Sequence, residues 1–205
     1  SFTYDIPVPE GVMIDPKADD AVLEEAIACL GATGLVVKPA HDGSSIGVTK
    51  LAEPTVAALR KALEDAAGVR GDEVLVEEYI HGREFTVAVL DGRALPVIEI
   101  RAPEGDYDFN NKYFGDAVHY DCPAKLEDEA AATLGSLCER AFAAVGARGW
   151  SRIDALQRAD GSFALLEINT SPGMTPHSLV PMAARAVGMD YADLCLKVLS
   201  LARCD

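Results

Sequence analysis

The chain has 205 residues, of which 49% are hydrophobic and 25% charged, and its formal net charge is −15 at pH 7. This length can bury the core of one large domain or two small ones, and the composition is that of a globular protein. The negative charge disfavours nucleic acid as a partner, because phosphate backbones require basic surface. No apolar run approaches membrane-spanning length and the chain opens with no basic and then apolar signal, so we expect no membrane partner. The five cysteines are an odd number without metal-type spacing, which favours reduced thiols in a cytoplasmic protein.

Periodicity, capping residues and turn residues predict the secondary structure. In the first half of the chain we expect a helix over residues 18–30, a strand over 34–39, a helix between Pro54 and Gly68, and strands over 72–79, 84–90 and 94–101. Residues 102–117 are polar without a clear period and predict a long functional loop. A helix over 126–145, strands over 150–155 and 165–169, and helices over 179–187 and 191–202 complete the prediction. Strands and helices are grouped rather than alternating, which predicts an α+β fold.

The two strands before the last helices carry polar residues in facing register. Asp160-Gly161 lies between them and predicts a two-residue hairpin turn, because glycine adopts positive φ at low cost. With that turn, Asp154 faces Glu167, and both side chains project from one face of the hairpin. The same register pairs Arg152 with Asn169 and places Ile153, Ala155, Leu166 and Ile168 on the opposite face.

Two carboxylates that face each other repel, so a cation between them is the favoured interpretation. Aspartate, glutamate and asparagine offer only hard oxygen donors, which suits Mg²⁺ better than zinc. The predicted ligands are Asp154, Glu167 and Asn169, and Arg152 beside them would contact developing negative charge. The alternative is the solvated polar face of an ordinary hairpin.

A candidate phosphate-binding loop follows the strand that ends near Lys38. Gly43 and Gly47 allow a ligand to approach the backbone closely, while Ser44 and Ser45 offer hydroxyl and amide donors. The loop is not a Walker A motif, because the lysine precedes it. By itself such a loop is more often a plain turn, and the lysine and the metal candidate together favour phosphate binding.

A third candidate is the apolar strand that ends in Glu77-Glu78-Tyr79-Ile80, which could offer backbone groups to an adenine edge and a carboxylate to a ribose. These three pieces in this order resemble the ATP-grasp superfamily. The runs 106–113, 167–175 and 177–181 resemble the D-alanine–D-alanine ligases, and the resemblance spans essentially the whole chain. It implies an ATP-grasp fold of two α/β lobes, residues 1–78 and 79–205, with the nucleotide between them.

The resemblance also implies roles for individual residues. Lys38, Ser44, Ser45 and Lys112 would contact or cover the ATP phosphates, and Glu77, Tyr79, Ile80 and Glu84 would bind adenosine. Mg²⁺, or Mn²⁺ in its place, would bind Asp154, Glu167 and Asn169. Arg152 and the Gly173 amide would stabilise an oxyanion, Tyr113 and Ser44 would support the first D-alanine, and Ser178 and Leu179 would hold the second.

The implied reaction joins two D-alanines through an acyl phosphate, for the synthesis of peptidoglycan precursors. We expect the chain to cover the central and C-terminal lobes of such a ligase, without the N-terminal domain that completes the first D-alanine site, and to be inactive in isolation. A homodimer is compatible with the resemblance. Two alternatives stay open: a naturally short nucleotide-binding protein without ligase activity, and a ligase for another D-amino or hydroxy acid acceptor.

Overall fold

The computed structural model of the chain describes residues 5–40, 47–68, 73–101 and 118–203. These residues form helices and antiparallel sheets, as the predicted α+β class requires. The chain divides into two compact units. The first unit is Pro9–His81, and the second contains residues 5–8, 82–101 and 118–203. The Tyr79 N–H donates to the Gly34 carbonyl over 3.0 Å, which ties the segment before Gly82 to the rest of the first unit.

The first unit is a four-stranded sheet covered by two helices. Its strand order is β1-β4-β2-β3, and every neighbouring pair is antiparallel. The side chains of Asp19 and Thr55 accept hydrogen bonds from the first turns of the two helices, which satisfies amides that have no partner within a helix. The elements are β1 (Gly11–Ile14), α1 (Asp20–Leu30), β2 (Leu35–Pro39), β3 (Thr49–Leu51), α2 (Val56–Ala67) and β4 (Val74–Glu78).

The second unit is a larger antiparallel sheet with helices on both faces. Its strand order is β10-β9-β5-β7-β8, and β6 pairs with β5. The elements are β5 (Glu84–Leu90), β6 (Arg93–Ala94), β7 (Ile98–Arg101), β8 (His119–Asp121), α3 (Asp128–Ala144), β9 (Trp150–Gln157), β10 (Phe163–Asn169), α4 (Leu179–Ala186) and α5 (Tyr191–Leu201).

Strand β5 separates two hydrophobic cores because its side chains alternate between the faces of the sheet. Phe85, Val87 and Val89 pack with α3, whereas Ala88 and Leu90 pack with α4 and α5. Glu84 and Thr86 therefore share the α4–α5 face of the sheet. None of the described helices is long and apolar enough to cross a membrane.

The predicted strand over residues 94–101 is wrong as a single element. Ala94 ends β6 and Ile98 begins β7, and Pro96 lies in the interruption between them. Proline has no N–H to donate to a ladder, so the strand breaks there. Three strands were not predicted, namely β1, β3 and β8; each is only three or four residues long and lacks a clear alternation.

An ion pair between the exposed Arg83 and the buried Glu99 fixes the start of β5 against β7. Arg83 donates from Nε and Nη2 to the two carboxylate oxygens of Glu99, each over 2.8 Å, and Nη2 also donates to the Lys125 carbonyl. The Arg83 guanidinium lies 4.9 Å from the centre of the Phe85 ring. The hydrogen bonds from Arg83 lower the pKa of the buried Glu99 carboxyl.

We expect Glu99→Gln to reduce the free energy of unfolding by about 2 kcal/mol at neutral pH, as for loss of hydrogen bonds to a charged group. The pKa of Glu99 is lower in the folded than in the unfolded protein, so its contribution is present above the ordinary value of 4.5 and is lost as the pH falls below it. Denaturant unfolding of wild type and variant should therefore converge on acidification. The exposed Glu24→Gln on α1 is the control, and a difference that persists undiminished in acid would contradict the assignment.

Candidate functional site

The hairpin of β9 and β10 pairs Asp154 with Glu167 and Arg152 with Asn169, in the predicted register. The predicted two-residue turn is wrong. The Gly161 N–H donates to the Arg158 carbonyl and the Arg158 N–H donates to the Ser162 carbonyl, which encloses the three-residue loop 159–161. Gly161 ends this loop with a φ of +88°, a conformation that glycine adopts without strain.

The three-residue loop shifts the pairing of the two strands by one residue, and a β-bulge at Leu166 brings Glu167 back opposite Asp154. Leu165 lies opposite Ala155, one position out of the predicted register, and the predicted register resumes at Glu167. Leu166 is thus the extra residue of the bulge. On the apolar face that packs against α3, Ile153, Ala155 and Ile168 lie as predicted, and Leu165 joins them.

The polar face of the hairpin extends onto β5. Thr86 lies directly opposite Asp154, and Glu84 lies opposite Leu156. Directly opposed residues of antiparallel strands share a face, so Thr86 and Asp154 point the same way. One face of the second unit therefore carries five of the predicted site residues, namely Glu84, Arg152, Asp154, Glu167 and Asn169, together with Thr86.

Arg152 neutralises the buried Asp154 before any ligand is present. Arg152 Nε donates to Asp154 Oδ1 over 2.9 Å, and Nη2 donates to Oδ2 over 2.8 Å. Nη2 also lies 3.9 Å from Glu167 Oε1, so one guanidinium stands beside both facing carboxylates. Only 8% of the Asp154 side chain is exposed, whereas 50% of the Glu167 side chain is exposed. Glu167 is therefore the member of the pair that solvent and ligands reach more easily.

The donors on this face fit Mg²⁺ held together with a phosphorylated ligand. Asp154 and Glu167 supply carboxylates, and Asn169 Oδ1 accepts one N–H, from Ser171, and keeps a second lone pair. Within the described ranges, no group of three or more His, Cys, Asp or Glu side chains could hold a metal. Mg²⁺ usually binds one or two carboxylates and completes its shell with water and phosphate oxygens, so this sparse set suits it.

In the first unit, Lys38 and Glu77 form an ion pair, with Nζ 2.6 Å from Oε2. Both predicted ATP contacts are thus together on adjacent strands, β2 and β4. Gly11 of β1 lies opposite Glu77, and a Cβ at Gly11 would approach Glu77 Cγ to 2.8 Å and the Val76 carbonyl to 3.0 Å. Glycine at position 11 therefore leaves room for the Glu77 side chain, with which a Cβ atom would collide.

The segment after β4 carries an aromatic pair at the predicted adenine site. The Tyr79 and His81 rings lie 4.0 Å apart, and Lys50 Nζ lies 5.5 Å from the Tyr79 ring centre. The Tyr79 N–H is used in a hydrogen bond to the Gly34 carbonyl. The backbone group of Tyr79 that could accept a hydrogen bond from a base is therefore its own carbonyl. Ile80 is buried. His81 and Lys50 were not predicted, because Lys50 reaches the ring from a strand distant in the sequence.

The predicted acceptor residues cluster before α4. Ser178 Oγ accepts the Thr175 N–H over 3.0 Å, and a Cβ at Gly173 would lie only 3.1 Å from that oxygen. The Tyr191 hydroxyl donates to the Met174 carbonyl and ties the loop to α5. Gly173 and Ser178 are thus adjacent, and Leu179 begins α4. Four predicted residues, Ser44, Ser45, Lys112 and Tyr113, lie outside the described residues.

This α+β chain, with its acidic hairpin in the second unit and its lysine–glutamate pair in the first, has the ATP-grasp fold, as its solved structural neighbours do. The family described as D-ala D-ala ligase C-terminus matches residues 3–200, so the chain belongs to that family.

Relatives and solved structures agree with this assignment. A D-alanine–D-alanine ligase of Bordetella petrii is 52% identical over 174 residues, which are 83% of this chain and 52% of the relative. That of Aromatoleum aromaticum is 48% identical over 97% of this chain and 62% of the relative. The VanG D-Ala:D-Ser ligase of Enterococcus faecalis has a TM-score of 0.81 at 31% identity, over 97% of this chain and 57% of that one. The chain thus spans little more than half the length of these proteins.

The ion pair of the first unit gives a prediction for stability. Lys38→Gln would leave the Glu77 carboxylate, 12% exposed, without its partner, and we expect the free energy of unfolding to fall by about 1–3 kcal/mol. The double variant Lys38→Gln/Glu77→Gln should recover part of that loss, because no unpaired charge remains. Denaturant unfolding measures both.

The matched control is Lys61→Gln, since Lys61 pairs with Asp65 on the surface of α2. An exposed pair of this kind contributes little, so the variant should unfold like wild type. Equal losses for Lys38→Gln and Lys61→Gln would contradict a special place for the Lys38–Glu77 pair.

Proposed function

We propose that this chain supplies the ATP- and metal-binding part of a D-alanine–D-alanine ligase. The observation that carries the proposal is the face on which Asp154 and Glu167 oppose each other with Arg152 beside both. Opposed carboxylates are unfavourable in a sheet unless cations compensate them, and Arg152 supplies one positive charge against two negative ones, which leaves a net negative charge for a divalent cation. The chain also belongs to the family described as D-ala D-ala ligase C-terminus, and relatives such as that of Bordetella petrii are named D-alanine–D-alanine ligase. One of its solved neighbours, from Bacillus anthracis, is described as complexed with ATP.

In this proposal each residue performs a step that its chemistry allows. The ammonium group of Lys38, which pairs with the Glu77 carboxylate in the structure, would contact the phosphates of bound ATP. A D-alanine carboxylate attacks the γ-phosphorus, and ADP leaves. The amine of a second D-alanine, after losing its ammonium proton, then attacks the carbonyl carbon of the acyl phosphate, and inorganic phosphate leaves as the peptide bond forms. Bound Mg²⁺ would neutralise charge on the transferred phosphoryl group. ATP activates the carboxylate, so no nucleophilic side chain of the protein is needed.

Arg152 and Gly173 act on the second step. The guanidinium of Arg152 is fixed by two hydrogen bonds to Asp154, so it needs little reorganisation to meet a developing oxyanion. The Gly173 amide would add a second donor, and the adjacent Ser178 and Leu179 would hold the second D-alanine. Ser44, Ser45, Lys112 and Tyr113 would cover the phosphates and the first D-alanine.

The setting of the reaction belongs to the same proposal. Groups from the part of the relatives that this chain does not match would complete the first D-alanine site. The product would enter peptidoglycan precursor synthesis in the cytoplasm, and Mn²⁺ could replace Mg²⁺ because both prefer oxygen ligands. A homodimer is compatible with this role.

D-serine is a second candidate acceptor, because the VanG neighbour is described as a D-Ala:D-Ser ligase. Identification of the dipeptide formed from ATP, D-alanine and D-serine separates the two, since the mixed product forms only if D-serine is used as the acceptor. Mg-ATP binding without any D-alanine-dependent phosphate release in the full-length gene product would favour a nucleotide-binding protein without ligase activity.

The metal assignment predicts the behaviour of Glu167→Gln. ATP affinity, measured by titration calorimetry, should fall about tenfold in the presence of Mg²⁺ and stay unchanged in its absence, because only the metal-bound nucleotide uses this carboxylate. Glu129→Gln is the control, since it changes an exposed glutamate of α3 on the opposite side of the sheet. Equal losses with and without Mg²⁺ would rule out Glu167 as a ligand.

A further inference from the structure

Thr86 is a polar side chain at the centre of the larger sheet. It lies on β5, between Phe85 and Val87, and only 1% of its surface is exposed. Its hydroxyl donates to Asp154 Oδ1 over 2.6 Å, and the Ile153 carbonyl lies further away at 3.4 Å. Burial of a hydroxyl is unfavourable unless it is hydrogen-bonded, so this contact explains why a threonine is tolerated at the position.

The hydrogen bonds around Asp154 distinguish its two carboxylate oxygens. Oδ1 accepts from both the Thr86 hydroxyl and Arg152 Nε, whereas Oδ2 accepts from Arg152 Nη2. A carboxylate oxygen has two lone-pair positions, so Oδ1 has both occupied and Oδ2 keeps one for a further partner. The Thr86 hydroxyl approaches from a neighbouring strand, and it therefore resists rotation of the carboxylate about its last bond.

We propose that Thr86 is a positioning residue, which fixes the Asp154 carboxylate so that Oδ2 is the atom that binds the divalent cation. This inference rests on the proposed metal site and adds to it a residue that touches neither metal nor nucleotide. Partners that orient a metal-binding side chain commonly change metal affinity when they are removed. The hydroxyl of Thr86 is the group that matters, because a valine would fill the same space on a buried strand.

The same sheet offers a matched control in Ser151. This residue lies on β9 opposite Val89 and is fully buried, and its Oγ has no hydrogen-bond partner in the described part of the chain. Ser151→Ala therefore removes a buried hydroxyl from the strand that carries Asp154 without removing a contact to it. Thr86→Val removes the positioning hydroxyl, and Thr86→Ser keeps it.

The experiment measures ATP affinity of the purified protein by calorimetry at a series of Mg²⁺ concentrations. For Thr86→Val we expect the Mg²⁺ concentration that gives half of the metal-dependent increase in ATP affinity to rise about tenfold. ATP affinity in the absence of metal should be unchanged. Thr86→Ser and Ser151→Ala should both stay within about twofold of wild type. A merely structural role of Thr86 would lower ATP affinity equally with and without metal, and that result would overturn the inference.

Asp154→Asn separates failure of the inference from failure of the proposed function. If Asp154→Asn leaves the Mg²⁺ dependence unchanged, the proposed metal site is wrong, and the inference falls with it. If Asp154→Asn abolishes the dependence while Thr86→Val does not alter it, the metal site stands and the positioning role is refuted. Thr86→Ala, checked for folding by circular dichroism, replaces Thr86→Val if valine prevents folding, and the same shift is expected.

Discussion

The pair between Arg152 and Asp154 is the interaction on which the candidate site depends. The two residues are separated by one residue on β9, so their side chains share a face of the sheet. Little of either side chain is exposed. Removing two charges from water is costly unless hydrogen bonds compensate, and here two bonds from the guanidinium and one from Thr86 do so. The same guanidinium reduces the repulsion between Asp154 and the facing Glu167.

The sequence predicted this arrangement partly for the wrong reason. The facing of Asp154 and Glu167 followed from an assumed two-residue turn, whereas the loop has three residues and a bulge at Leu166 compensates. Loop length depends on the balance between turn geometries close in energy, and one glycine does not decide it. The α+β class and the longer helices were predictable because a buried face repeats over many residues, while the break at Pro96 shows that one missing N–H outweighs an apolar run.

Contacts between distant parts of the sequence were beyond prediction from local patterns. Thr86 reads as an ordinary β-branched strand residue, and its role follows only from the register that places Asp154 opposite it. The role of Gly11 likewise cannot be predicted from its neighbours in the sequence, because it leaves room for Glu77 on another strand. The family resemblance named Lys38 and Glu77 as ligand contacts, but that they pair with each other is visible only in the structure.

The bulge at Leu166 divides the β9–β10 hairpin into two segments of different register. Toward the tip, Asp160 accepts from the Ser162 N–H and hydroxyl, in addition to the backbone hydrogen bonds that enclose the loop. Below the bulge, the register of the acidic pair is held by β5 as well as by β10. Lengthening a loop adds only a slowly growing entropic cost, about 0.6 kcal/mol for each doubling. The tip can therefore diverge in length or accept a grafted epitope, while strand pairing with β5 keeps the acidic residues in register.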